Sequence, residues 1–264
     1  MFLTKSEQAL TNEYLEQGYI IRPVANQAAL DWMRSQFVRL INDSIGCKNG
    51  ESPEDLLNQI HQRLPVEQLN IFRMKIIREF NAIEEFREMY FKVARPFLED
   101  LVGNELSMQL RINLSIQFPQ DSSSLLPVHA DTWSGDSPFE VVVWLPLVDC
   151  YRSKAMYILP PSAATDLNKD FVNRAGSSSE NLFQSIRKDV KWLDLKYGQV
   201  LLFNQALPHG NRINQESESR WSMNCRFKSV FTPYGDKKLG EFFEPVTLRA
   251  ASRNGMAYQE PKTE

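Results

Sequence analysis

The hydrophobic period of this chain changes once, near Leu106, and that change limits the folds open to it. Before about Val102, apolar residues recur at spacings of three and four. Leu30, Met33, Phe37 and Leu40 mark one face of a helix over Gln27 to Leu40. Further helices are predicted over Ser6 to Gln17 behind a Thr4 cap, and over Glu54 to Arg63 behind Ser52 and Pro53. Two more cover Val66 to Phe80 and Ile83 to Leu101, with Pro96 kinking or splitting the second. From Leu106 onward the period is two. Leu110 to Phe118 alternates apolar and polar residues, as a strand with one apolar face does. Phe139 to Val148, Ala155 to Leu159, Val190 to Leu195, Gln199 to Phe203 and Arg220 to Phe231 read as further strands.

Many short strands separated by Pro, Gly, Ser and Asp suggest a sandwich or barrel with the helices packed outside it. The expected organisation is one domain over residues 1–264, with a helical flank at 1–105 and a β core at 106–264. The polar stretch at 161–188, which includes Ala175, Gly176 and Ser177 and a short helix over Asn181 to Lys188, is a candidate lid.

Composition closes off several functional classes. A chain of 264 residues with 42% hydrophobic side chains buries roughly three quarters of its unfolded surface and needs no disulfide scaffold. Its net charge of −3 argues against a nucleic-acid partner. The longest apolar run, Val141 to Val148, includes Pro146 and falls far short of the ~20 residues of a membrane span. Cys47, Cys150 and Cys225 are too scattered for a zinc ribbon. The polar residues directly after Leu3 predict no secretion signal, so a reducing cytoplasm is the expected location. A small-molecule partner fits these limits, and the oligomeric state is not legible.

Of three histidines, His61 lies in a helical stretch and reads as a surface or half-buried residue. His129 is different, because Val128 to Thr132 in extended form would place His129 and Asp131 on one face. His209 follows 78 residues after Asp131, just beyond the strand Gln199 to Phe203. Two histidines and a carboxylate suit a facial metal triad with open positions, although zinc hydrolases use the same set. Eleven residues past His209, Arg220 and Ser222 open the last long strand. On it Arg220, Ser222, Asn224 and Arg226 share one face, while Trp221, Met223, Cys225 and Phe227 share the other. Arg220 with Ser222 could grip a carboxylate by charge-assisted bonds. Arg226, about 20 Å along an extended strand, is better read as pairing with an acid on the barrel wall. Asn113 and Gln117 could bond a ligand from the Leu110 strand or simply face solvent. Trp133, beside the ligand pair, could stack on a flat substrate or pack its loop, and Tyr157 and Asn224 are weaker substrate candidates.

The order His129, Asp131, His209, Arg220, Ser222 resembles the Fe(II)/2-oxoglutarate-dependent oxygenases. The likeness is to their phytanoyl-CoA dioxygenase-like branch, and includes a subgroup associated with bacterial carbohydrate gene clusters. The segment Ala155 to Ser162 is similar to the branch's Pro-Gly-Ser-His motif, with Pro161 in place of Gly and Ala163 in place of His. The resemblance implies a double-stranded β-helix (a cupin-like jelly roll) behind amino-terminal helices. It implies Fe(II) on His129, Asp131 and His209, 2-oxoglutarate held by Arg220 and Ser222, and O₂ as second cosubstrate. It also implies hydroxylation of a small metabolite, such as a sugar or nucleotide sugar, with release of succinate and CO₂. Related halogenases have Gly or Ala where this chain has Asp131, so hydroxylation, desaturation, epimerisation or cyclisation is expected over halogenation. The alternatives are a catalytically silent jelly-roll binding protein and a zinc hydrolase using the same triad.

Overall fold

A computed structural model describes residues 2–46, 50–174 and 178–261, so that Cys47 and the segment Ala175 to Ser177 lie outside the described residues. The chain opens with α1 (Lys5–Gln17). Thr4 Oγ1 accepts from the Glu7 amide while Glu7 Oε2 accepts from the Thr4 amide, a reciprocal cap that fixes the helix start. Strand β1 (Tyr19–Pro23) follows, then α2 (Gln27–Ile45), capped by Asn26, and α3 (Pro53–Asn58), capped by Ser52. The helix expected over Glu54 to Arg63 ends early, and a 3₁₀ turn at Ile60–Gln62 completes it. Next come α4 (Val66–Asn81), α5 (Phe86–Lys92) and α6 (Arg95–Leu101), the last two divided ahead of Pro96 because proline fits the first turn of a helix and not its interior.

The strands are β2 (Leu106–Gln109), β3 (Asn113–Gln117), β4 (Val141–Pro146), β5 (Met156–Ile158), β6 (Lys191–Leu193), β7 (Gln199–Asn204), β8 (His209–Gly210), β9 (Arg220–Ser229) and β10 (Phe243–Pro245). Between β5 and β6 lie α7 (Pro161–Lys169), α8 (Phe171–Arg174) and α9 (Ser179–Ile186), and α10 (Ala250–Ala257) comes last. Among the described residues the strands form a seven-stranded sheet, ordered β1-β7-β4-β9-β2-β10 with β3 also on β9, and a three-stranded sheet ordered β6-β5-β8. Neighbouring strands run antiparallel throughout. Helices occupy more of the chain than strands do, yet the sheets form its centre.

Two corrections to the expected elements have clear causes. The helical flank is not purely helical, because β1 leaves it to pair with β7, Ile20 opposite Leu202. The single strand expected over Leu110 to Phe118 is shorter, since the chain breaks between β2 and β3. There the Asn81 side chain takes both backbone groups of Ile112, donating to its carbonyl (3.0 Å) and accepting from its amide (2.8 Å).

Strict alternation divides the large sheet between two cores. Val141, Val143, Leu145, Val200, Leu202, Trp221, Met223, Cys225 and Phe227 pack against α2, α4 and α5 residues such as Phe37, Phe72, Phe80 and Phe86. The residues between them, Val142, Trp144, Leu201 and Phe203, face the small sheet and join Met156, Tyr157 and Ile158 in a second cluster. Ala164, Leu167, Phe183 and Ile186 of the 161–188 stretch also insert there, so packed helices anchor this candidate lid. No described helix is long and apolar enough to cross a membrane.

Trp221 is fully buried, its ring 6.3 Å from those of both Phe37 and Phe72. Trp221→Ala should therefore destabilise the fold by on the order of 3–5 kcal/mol, read as a lower midpoint in urea unfolding. An unchanged midpoint would mean that the helical layer does not depend on this contact.

Candidate metal and anion site

The inward face of the large sheet opens into a cavity of about 450 Å³, bordered by His129, Asp131, His209, Arg220 and Arg226. The two histidines meet through their backbones. The His129 amide donates to the His209 carbonyl at 3.0 Å, and the His209 amide returns the bond at 2.8 Å. Asp131 is tied in the same way, its amide donating to the Gln205 carbonyl at 3.0 Å. Extended backbone at Ala130 (φ −120°, ψ 136°) sends His129 and Asp131 to one side before a 3₁₀ turn begins at Asp131. Gly210 permits this approach. A Cβ there would stand 2.8 Å from the Leu126 carbonyl oxygen and 3.1 Å from that of Pro127.

One ligand atom from each of His129, Asp131 and His209 falls within 4.8 Å of the others. The rings are held by the same device: Nδ1 of His129 bonds the Pro127 carbonyl (2.8 Å) and Nδ1 of His209 the Leu207 carbonyl (2.9 Å). A protonated Nδ1 leaves Nε2 with a free lone pair, as a metal ligand requires. Burial, joined by the neighbouring His129, pushes the His209 pKa down to about 4, so this imidazole is neutral at pH 7. Burial works against a charge on His129 too, but Asp131 and the Pro127 carbonyl outweigh it and raise its pKa. Burial likewise opposes the Asp131 charge, yet His129, Arg226 and His209 together hold its carboxyl well below the usual range. Two imidazole nitrogens and one carboxylate are a donor set that fits a divalent transition metal.

Arg226 provides the support behind this triad. Its Nη2 donates to Asp131 Oδ2 at 2.7 Å, which leaves Oδ1 turned to His129, 3.4 Å from Nε2. The same guanidinium donates from Nε to Gln205 Oε1 (2.8 Å) and lies 3.5 Å from Asp136 and 3.9 Å from Glu140. The expected acid partner thus exists, and one of these acids belongs to the triad. Alternation on β9 indicated the face of Arg226, but nothing in the sequence linked it to a residue 95 positions away.

Arg220 is 4% exposed and has no carboxylate partner among the described residues. Its Nη2 donates to Ser115 Oγ at 2.9 Å, while its Nε and the nearby Ser222 Oγ are buried without hydrogen-bond partners. A buried guanidinium beside an unsatisfied hydroxyl fits an anionic ligand, because isolated buried charge is costly.

The other expected site residues divide. Asn113 and Asn224 border the cavity, with Asn113 Nδ2 donating to Asn224 Oδ1 at 2.9 Å. Gln117 does not. It is fully buried opposite Arg220 and commits its Nε2 to the Arg212 carbonyl (2.6 Å). Tyr157 is also buried, packed on Phe183 and Trp192 in the second core. Trp133 sits outside the cavity lining, its ring 5.0 Å from Phe171 on α8. His61 is remote, bonded through Nδ1 to Ser219 Oγ (2.9 Å). Ser115, Gln205 and Gly210 were missed, since each gains its importance from partners brought in by the fold.

No family model matches the chain, and no curated protein matches it in sequence. Solved structures do share its fold. A nickel complex of the non-heme monooxygenase ThoJ superposes with a TM-score of 0.57 at 14% identity, covering 92% of this chain and 85% of that one. HygX from Streptomyces hygroscopicus, with nickel and 2-oxoglutarate bound, gives 0.52 at 14% identity over 90% of both chains. The α-ketoglutarate-dependent carbocyclase SnoK from nogalamycin biosynthesis gives 0.52 at 16% identity, covering 93% of this chain and 97% of that one.

Two outcomes follow for the metal site. Gly210→Ala should force the His129 and His209 segments apart and weaken Ni(II) binding roughly tenfold or more, read by calorimetry, with far-ultraviolet dichroism unchanged. Protons compete with metal for imidazole nitrogen. Ni(II) affinity should therefore fall with pH once His129 titrates, above its ordinary value of 6.5, and fall again as His209 titrates near 4. Affinity independent of pH between 8 and 5 would exclude His129 as a ligand.

Proposed function

We propose that this protein is an Fe(II)- and 2-oxoglutarate-dependent oxygenase that hydroxylates a small molecule on a double-stranded β-helix core. One observation carries the reading: a single cavity joins a His-Asp-His triad to a buried arginine that has no counterion among the described residues. His129, Asp131 and His209 would hold the metal. Arg220, with Ser115 and Ser222 beside it, would hold the distal carboxylate of 2-oxoglutarate. The fold neighbours with metal and 2-oxoglutarate add support.

Iron with 2-oxoglutarate supplies O₂ activation coupled to oxidative decarboxylation, and hence the power to take a hydrogen atom from an unactivated carbon. The chain's own residues orient and shield that chemistry. Arg226 occupies one oxygen of Asp131, so the carboxylate presents its other oxygen to the triad centre. Val142, Trp144, Met156 and Phe203 line the cavity with apolar surface that excludes water from a reactive centre. Because Asp131 supplies the third ligand, hydroxylation is favoured over halide transfer.

A zinc hydrolase would need a general base to work with metal-bound water. Asp131 is the one carboxylate bordering the cavity among the described residues, and Arg226 holds it. Both Glu140 oxygens accept hydrogen bonds, from the Ser137 amide and from Gln205. This disfavours the hydrolase.

Anaerobic addition of Fe(II) and then 2-oxoglutarate should produce the visible charge-transfer band of a chelated keto acid. His209→Ala should abolish stoichiometric Fe(II) binding. Arg220→Ala should keep the metal but weaken 2-oxoglutarate by about 2–5 kcal/mol, the cost of stranding a buried charge. Metal binding without any band in the unaltered protein would sink the oxygenase reading and favour a silent binding protein.

A further inference from the structure

The cavity carries more positive charge than the triad and the cosubstrate together account for. Among the described residues three arginines border it, Arg73, Arg220 and Arg226, against one acid, Asp131. Arg226 is engaged by Asp131 and flanked by Asp136 and Glu140. Arg220 is the buried group assigned above to 2-oxoglutarate. Arg73 is left over.

Arg73 lies on α4 next to Phe72, whose ring packs on Trp221 at the helix side of the sheet. It reaches the cavity beside β3, a strand whose pairing among the described residues is with β9 alone. Its hydrogen bond goes to Asn70 Oδ1 on its own helix (2.8 Å), and no carboxylate pairs with it among the described residues. Asp121, in the loop after β3, turns both oxygens to Ser123, at 2.8 and 2.9 Å. Ser123 and Ser124 border the cavity with Arg73, and Leu125, Leu126, Met156 and Phe203 add apolar wall. A cation in a partly enclosed cleft concentrates anions there, and a guanidinium grips carboxylate or phosphate through two parallel bonds.

We propose that the cavity takes an amphipathic anion as substrate, its carboxylate or phosphate monoester on Arg73 and its apolar body along Leu125, Leu126, Met156 and Phe203. The proposal rests on the oxygenase reading of the same cavity. Arg220 and Arg73 then divide the two anions, cosubstrate inside and substrate at the mouth.

The test uses protein loaded anaerobically with Fe(II) and saturating 2-oxoglutarate, titrated calorimetrically with octanoate, octyl phosphate and octanamide at constant ionic strength. At least one anion should bind ten times or more tighter than octanamide, and the tighter of the two identifies the head group. Arg73→Met should remove that preference while the charge-transfer band persists, and Arg73→Lys should restore part of it. Equal affinity for the amide, absence of anion binding, or a preference retained in Arg73→Met would overturn the proposal. If the band fails to form in the unaltered protein, the oxygenase reading fails by itself. The titration is then made on the metal-free chain. Anion binding lost in Arg73→Met and kept in Arg220→Met supports the anion site, and any other pattern overturns it.

Discussion

The site depends on one pair of backbone hydrogen bonds, exchanged between His129 and His209. Neither residue lies in the large sheet. His129 sits in a loop, and His209 belongs to a two-residue strand held on its other side by Ile158. The exchange brings two rings to a centroid separation of 4.3 Å, and each Nδ1 is bonded to the carbonyl two residues earlier. Ring orientation is therefore set by main-chain geometry, the least adaptable part of a protein. Gly210 is the condition for this contact, because a side chain there would collide with the adjoining Leu126 and Pro127 carbonyls.

Around that pair, β9 arranges charge. Its outward residues, from Trp221 to Phe227, anchor the helical layer, which leaves its inward residues in low-dielectric surroundings. Arg226 meets a group of acids and becomes a support for Asp131. Arg220, six residues earlier on the same face, meets none among the described residues. The two arginines have equivalent strand settings and opposite electrostatic ones. That difference makes one a structural partner and leaves the other open to the anion proposed for it.

Much of this was legible in the residues. The helices of the flank follow from spacing and from caps such as Thr4 and Ser52, and the inward face of β9 follows from alternation. The triad was visible as His129, Asp131 and His209. Local pattern failed where a distant group intervened. Asn81 captures Ile112 in the break between β2 and β3, β1 leaves the helical layer to pair with β7, and Arg212 takes the Gln117 amide. Tyr157, a substrate candidate from the sequence, is buried in the second core.

By itself the sequence determined which faces are apolar, where helices begin, and which side chains can bind metal or anions, since these are properties of neighbouring residues and their period. The tertiary structure decided which of those side chains meet. It paired Arg226 with Asp131 across 95 positions, left Arg220 without an acid among the described residues, and brought Arg73 from α4 to the edge of β3. Such pairings depend on how the sheet and helices close on each other. A hydrophobic period records which way a side chain faces and carries no information about what faces it.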